Sequence, residues 1–144
     1  MASVATYLNF PGTTGEAFAF YKDVFGTEYV GHVLRYRDVP QDPSRPIAAA
    51  DLDLVMNVTL PITGGHLMME TDAPESMGFS LVAGNNVHIV LNPDTREEGD
   101  RLYAALSAGG QAHMPMAEMF WGAYWGSLVD RFGMQWMINV APAP

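Results

Sequence analysis

The 144-residue chain contains no cysteine, which excludes disulfides, thiolate metal ligands, CxxC redox chemistry and a cysteine nucleophile together. It is also short of positive charge. Seven Lys and Arg stand against sixteen Asp and Glu, for a formal net charge of −9. Binding to phosphate backbones or anionic membranes rests on neutralisation by Lys and Arg, so this balance argues against nucleic acid and membranes as partners. No apolar run approaches the roughly 18 residues that cross a bilayer. The start, "MASVATYLNF", lacks the basic segment and long apolar core of a secretory signal. A cytoplasmic location is the resulting expectation. There is no G-x-G-x-x-G after a strand, no G-x-S-x-G elbow, no phosphate loop and no paired carboxylates.

What the chain does have is apolar material: 49% of its residues, against 16% charged. That is enough to bury a core, in a chain the size of one compact domain or of two half-domains sharing one. Ten methionines add flexible, polarisable side chains suited to irregular cores and adaptable pockets.

The chain also says nearly the same thing twice. "LNFPGTTGEAFAFYKDVFG" at 8–26 is answered by "LNPDTREEGDRLYAALSAGG" at 91–110, with Leu91-Asn92 and Gly109 each 83 positions after Leu8-Asn9 and Gly26. In the first half a strand over 3–10 is broken by Pro11-Gly12. Thr13 and Glu16 then have capping-box spacing, and Ala17, Phe18, Tyr21, Val24 and Phe25 recur at helical intervals up to Gly26. Strand-like text follows at 28–37, a Pro-rich loop at 38–46, and two strands near 53–62 and 66–71 joined at Gly64-Gly65. The segment 38–50 as a whole reads as a loop and a candidate lid.

The second half repeats this order. A strand at 86–92 is broken by Pro93-Asp94, and Thr95 with Glu98 opens a helix that buries Leu102, Tyr103 and Leu106. After Gly109-Gly110 come strand-like runs near 111–119, 121–129 and 134–140. "GHLMMETDAP" from Gly65 lies on "GMQWMINVAP" from Gly133 without a gap, which sets Met69 on Met137. The expectation is a tandem βαβββ duplication, 1–74 and 85–144, bridged by 75–84. One such half cannot bury its sheet face alone, and two can.

With "YLNFPGTTGEAFAFYKDVFG", "LPITGGHLMMETDAPESMGFSL" and "MFWGAYWGSLVDRFGMQWMINV", the chain resembles the vicinal oxygen chelate superfamily (glyoxalase/bleomycin-resistance/dioxygenase fold), in its PhnB-like branch. The resemblance implies an α+β fold in which tandem βαβββ modules form a cupped mixed sheet, usually completed in a homodimer. Many members bind a divalent metal through four inward-facing strand residues, and others bind a drug without metal. Some PhnB-like sequences carry a demethylubiquinone methyltransferase label, but no methyl-donor motif is recognisable here.

Carried over residue by residue, the four ligand places fall on Ala5, Met69, His88 and Met137. Alanine cannot coordinate, and thioethers are too soft for Mg, Mn or Zn in such a site. Relatives often carry His where this chain has Asn57. Glu70 is one residue from Met69, so strand alternation turns it to the opposite face unless the register shifts. Loss of the classical metal site, with no cofactor, is therefore expected.

Alternation groups Asn86, Val90 and Asn92 with His88, Gln135 and Asn139 with Met137, and Tyr7 and Asn9 with Ala5. His88 reads either as a hydrogen-bonded core histidine or as a pocket residue. His32, His66 and His113 read as surface or turn residues. Phe120, Trp121, Tyr124 and Trp125 form an aromatic cluster of undetermined face, read as packing, and Glu118 reads either as a polar anchor at the cavity rim or as an ordinary solvated carboxylate, the second first. The candidate ligand-binding set is His88, Met69, Met137, Gln135, Asn139, Tyr7, Trp121 and Glu118. The leading expectation is small-molecule binding in the cup without metal. The rivals are a metal-dependent lyase, isomerase or dioxygenase, and a structural dimer without ligand. Whether the chain is catalytic stays open.

Overall fold

A computed structural model describes residues 1–144, and it divides into two compact units, Met1–Val82 and Ala83–Pro144. The division falls inside the expected bridge. The first unit runs β1 (Thr6–Phe10), α1 (Thr14–Phe25), β2 (Leu34–Arg35), β3 (Val55–Pro61) and β4 (Leu67–Asp72). Its strands lie in the order β1-β4-β3-β2, with β1 and β4 parallel and the other pairs antiparallel. The second unit runs β5 (Ile89–Leu91), α2 (Arg96–Ser107), β6 (Gln111–Glu118), β7 (Tyr124–Val129) and β8 (Gln135–Val140). Its order, β5-β8-β7-β6, and its strand directions are those of the first. The fold is α+β, a βαβββ plan used twice.

Each helix forms because its apolar residues recur on one face, and each lies on one face of its own sheet. On α1 the buried residues are Thr14, Ala17, Phe18, Tyr21 and Val24, with Phe25 half-buried at the stop. Burying a side chain of the size of Phe18 contributes about 1.5–3 kcal/mol. Gly26 ends the helix at φ 63°, its N–H donating to the Lys22 carbonyl. On α2 the buried residues are Gly99, Leu102 and Leu106, while Tyr103 is half-buried. Gly99 admits β8 closely: a Cβ there would stand 2.9 Å from Cγ2 of Val140.

The two helix starts differ, against expectation. Thr95 caps α2, its Oγ1 accepting from the Glu98 N–H at 3.1 Å, although the Glu98 carboxylate turns to Arg101 instead of closing the box. Thr13 makes no side-chain cap. Its place is taken by Asp72 at the end of β4, buried to 1% exposure, whose Oδ1 accepts the Thr14 N–H at 2.9 Å. Oδ2 of the same carboxylate accepts the Val55 N–H at 2.8 Å. A residue 58 positions away in sequence thus satisfies the amide that the local motif leaves open.

Strand limits differ most where backbone polarity intervenes. The run 28–37 keeps only Leu34–Arg35 as strand: Gly31 bends the chain at φ 70°, and the Asp38 carboxylate takes the Arg35 N–H, closing a short 3-10 turn at Tyr36–Asp38. Residues 39–48 form no helix or strand, as the prolines foretell. The run 121–129 starts as strand only at Tyr124, because Gly122, at φ 94°, donates to the Met119 carbonyl and makes residues 119–123 a turn.

Two substitutions separate the helix starts. Thr95→Ala is expected to lower stability by about 1 kcal/mol and Thr13→Ala by a few tenths, measured by urea unfolding. Asp72→Asn, which sets an amide against a backbone N–H, is expected to lose about 2–3 kcal/mol in the same assay.

Candidate functional site

The pleat sorts every strand residue between two faces, one against the helix and one free of it. In β4, Met68, Glu70 and Asp72 are buried toward α1, while Met69 and Thr71 are half-buried on the other face. The register pairs Met69 with Tyr7 on one side and with Thr59 on the other, so these three form a row on the helix-free face. Asn57, on the same face, stands beside Leu34 of β2. Ala5 and Asn9 flank Tyr7 on that face and are exposed. Glu70, completely buried, lies on the opposite side of the sheet from Met69.

The second unit repeats the sorting. Trp136, Ile138 and Val140 of β8 are buried toward α2, and Gln135, Met137 and Asn139 are half-buried on the helix-free face. Three rows cross that face. Val129 and Gln135 pair, with His88 next along; Met114, Ser127, Met137 and Val90 follow; Trp125 and Asn139 pair, with Asn92 beyond. No residue in these rows is charged.

Hydrogen bonding on this face is sparse. Asn139 Nδ2 donates to Asn92 Oδ1 at 3.2 Å, and Gln135 Nε2 donates to the carbonyls of Gly84 and Val87 at 3.3 and 3.4 Å. His88 is half-buried and bonds to nothing within the chain. That removes the reading of a hydrogen-bonded core histidine. The imidazole that does find a partner is His66, whose Nε2 lies 2.9 Å from Thr6 Oγ1. His32 and His113 are exposed, and His32 follows the bend at Val30 and Gly31.

Two candidate residues fall outside these faces. Glu118 pairs across β6–β7 with Tyr124, on the side turned toward α2, and lies 3.7 Å from Arg96 Nη2. Arg96 in turn covers the Tyr124 ring, and the Tyr124 hydroxyl donates to Asp100 Oδ1 at 2.6 Å. That bond, with burial and the Asp100 charge behind it, raises the Tyr124 hydroxyl above the ordinary tyrosine range. Glu118 thus belongs to a surface cluster bracing α2. Trp121 sits with Phe120 at the tip of the β6–β7 hairpin, 54% and 98% exposed, their rings edge-to-face at 4.8 Å. Trp125, by contrast, faces the helix-free side, and sequence reasoning had not placed it there. Alternation could have done so only with the start of β7 known.

The four places expected from the resemblance carry a methyl group, two thioethers and one imidazole. In neither unit do three His, Asp or Glu side chains gather around a point. The nearest carboxylates by sequence, Glu70 and Asp72, lie on the helix side, and Asp72 is held by two backbone amides. This donor set does not fit a hard divalent cation.

An imidazole with no partner to lose should matter little for stability. His88→Ala is expected to cost less than about 1 kcal/mol by urea unfolding. Trp136 is fully buried and donates to Asp130 Oδ2 at 2.8 Å, so Trp136→Phe is expected to cost about 2–3 kcal/mol.

Comparison with known proteins finds relatives that align over nearly the whole of this chain. Residues 2–139 match the family model described as 3-demethylubiquinone-9 3-methyltransferase. Protein YjdN of Escherichia coli (strain K12) is 30% identical over 147 residues, covering 95% of this chain and 94% of that protein. The crystal structure of protein PA1353 from Pseudomonas aeruginosa has 30% identity and a TM-score of 0.85, covering 99% of this chain and 100% of that one. A PhnB protein from Bacillus cereus, titled a putative 3-demethylubiquinone-9 3-methyltransferase, superposes with a TM-score of 0.75 at 23% identity, over 97% of this chain and 100% of that one.

Proposed function

Because the chain belongs to this PhnB-like family, within the glyoxalase/bleomycin-resistance/dioxygenase superfamily, we propose that it binds an uncharged small molecule on its helix-free sheet faces, without the superfamily's four-ligand metal site. The observation carrying this reading is the face of the second unit. There Trp125, Val90 and Met137 supply apolar surface, while His88, Asn92 and Asn139 keep polar atoms unused by the chain. Apolar surface with a few convergent polar groups is the ordinary composition of a small-molecule site.

The absence of charge in these rows restricts the class of ligand. An anion would find no Lys or Arg there. The cations of the second unit are engaged elsewhere: Arg96 with Glu118 and the Tyr124 ring, Arg101 with Glu98, and Arg131 with the Ala108 carbonyl. Methyl transfer is not part of this proposal, since the chain carries no recognisable methyl-donor motif.

A homodimer belongs to the same proposal. Phe120 and Trp121 place a large apolar surface at a hairpin tip, which a two-fold partner would cover. A metal-dependent lyase, isomerase or dioxygenase is the rival reading, favoured by the unpartnered imidazole of His88 alone.

Two measurements test the proposal. Elemental analysis of protein purified without chelator or metal-affinity resin is expected to find far less than one Zn, Ni, Fe or Mn per chain. A stoichiometric metal lost in His88→Ala would establish the rival. Light scattering at micromolar concentration is expected to give twice the chain mass of 15.7 kDa, shifting toward monomer in Phe120→Ser/Trp121→Ser. A wild-type monomer would remove the dimer from the reading.

A further inference from the structure

We infer that Asn92, Asn139 and Trp125 form a subsite for a flat ring bearing a cis-amide edge, the chemistry of a lactam or cyclic imide. The inference rests on the small-molecule reading above and specifies what the face recognises.

It starts from the bond between the two amides. Asn139 Nδ2 donates to Asn92 Oδ1, which fixes the orientation of both side chains on the helix-free face. Asn92 Nδ2 and Asn139 Oδ1 remain, and neither makes a bond within the chain. One free donor and one free acceptor thus belong to two bonded side chains on neighbouring strands, about one strand spacing (~4.8 Å) apart at the backbone. A cis-amide presents the complementary pair along one edge: its carbonyl accepts from Asn92 and its N–H donates to Asn139. Two such bonds also set orientation, as paired amide contacts do when asparagine reads a base edge.

Trp125 completes the arrangement. It is the cross-strand partner of Asn139 in the same row and is half-buried, so its side chain neighbours Asn139 on the same face. An indole surface favours a planar aromatic partner. The next row, with Ser127 and Met137, offers a small and a flexible side chain beneath the ring. The corresponding row of the first unit carries Asn57, Thr71 and Asn9. Threonine stands there where Asn139 stands in the second unit, and asparagine where Trp125 stands, so the adjacent amide pair and the indole belong to the second unit alone.

The test uses carbostyril, a planar lactam, and N-methylcarbostyril, which keeps the carbonyl and the rings but loses the N–H. Binding is followed by NMR on the full chain through the side-chain amide signals of Asn92 and Asn139. Carbostyril is expected to shift both signals and to bind roughly tenfold more tightly than the methylated form, since one hydrogen bond is lost and Asn139 Oδ1 is left unpaired. Asn92→Asp separates recognition from structure. Its carboxylate still accepts from Asn139 Nδ2, but the ligand then meets two acceptors. It is expected to keep the wild-type melting temperature and lose at least tenfold in carbostyril affinity. Equal affinity for the two compounds, or undiminished carbostyril binding by Asn92→Asp, would overturn the donor–acceptor subsite and leave the small-molecule reading standing. Binding of neither compound, with no shift at Trp125, would overturn the subsite and count against the face as a small-molecule site.

Discussion

The first unit depends on one buried carboxylate. Asp72 closes β4, and its two oxygens reach the first amide of α1 and the first amide of β3, so one side chain fixes where a helix and a strand begin. The Asp72 carbonyl also accepts the Tyr36 hydroxyl at 2.7 Å, which ties down the turn after β2. A charged acceptor between backbone N–H groups makes stronger bonds than a neutral one, and its burial keeps water from competing. The second unit uses Asp130 differently. Its Oδ1 accepts from Phe132 and Met134 within the β7–β8 turn, and its Oδ2 accepts from Trp136. One module is tied from strand to helix, the other across its own turn. The duplicated plan therefore does not require duplicated anchors.

These anchors leave the helix-free faces without structural duties. Core packing and buried charge are concentrated between helix and sheet, where Trp136, Tyr21, Met68 and Glu70 are wholly enclosed. The other faces carry fewer bonds, those of Asn139 to Asn92 and of Gln135 to the Gly84 and Val87 carbonyls among them. Chemistry can vary there without cost to the fold, which is how one architecture hosts many functions. The two faces of this chain have diverged accordingly: a Thr–Met–Tyr row in the first unit, amides, an imidazole and an indole in the second.

Much of this was legible in the residues. Periodicity, the Pro and Gly breaks and the 83-residue echo fixed the βαβββ order and both helices. The gapless overlay of the closing strands put Met69 and Met137 in corresponding places, and strict alternation separated Met69 from Glu70. Less legible was whatever depended on distant partners. Thr13 and Thr95 look alike in sequence, yet only Thr95 caps its helix: its backbone is extended at ψ 152°, whereas that of Thr13 stands at ψ 10°. Glu118 and Trp121, both among the ligand-binding candidates, lie beside α2 and at a hairpin tip.

By itself, then, the sequence determined the elements, their order and which strand residues share a face, since these follow from the 3.6- and 2-residue periods of a local backbone. The tertiary structure alone decided which polar atoms are spent and which are free. His88 reads as an ordinary histidine until no partner is found for it, and Asn92 becomes notable only when Asn139 donates to it. Trp125 finds its face only once the turn at 119–123 sets the start of β7. Hydrogen-bond satisfaction is a property of neighbours 47 or 58 residues apart, and no local pattern encodes it.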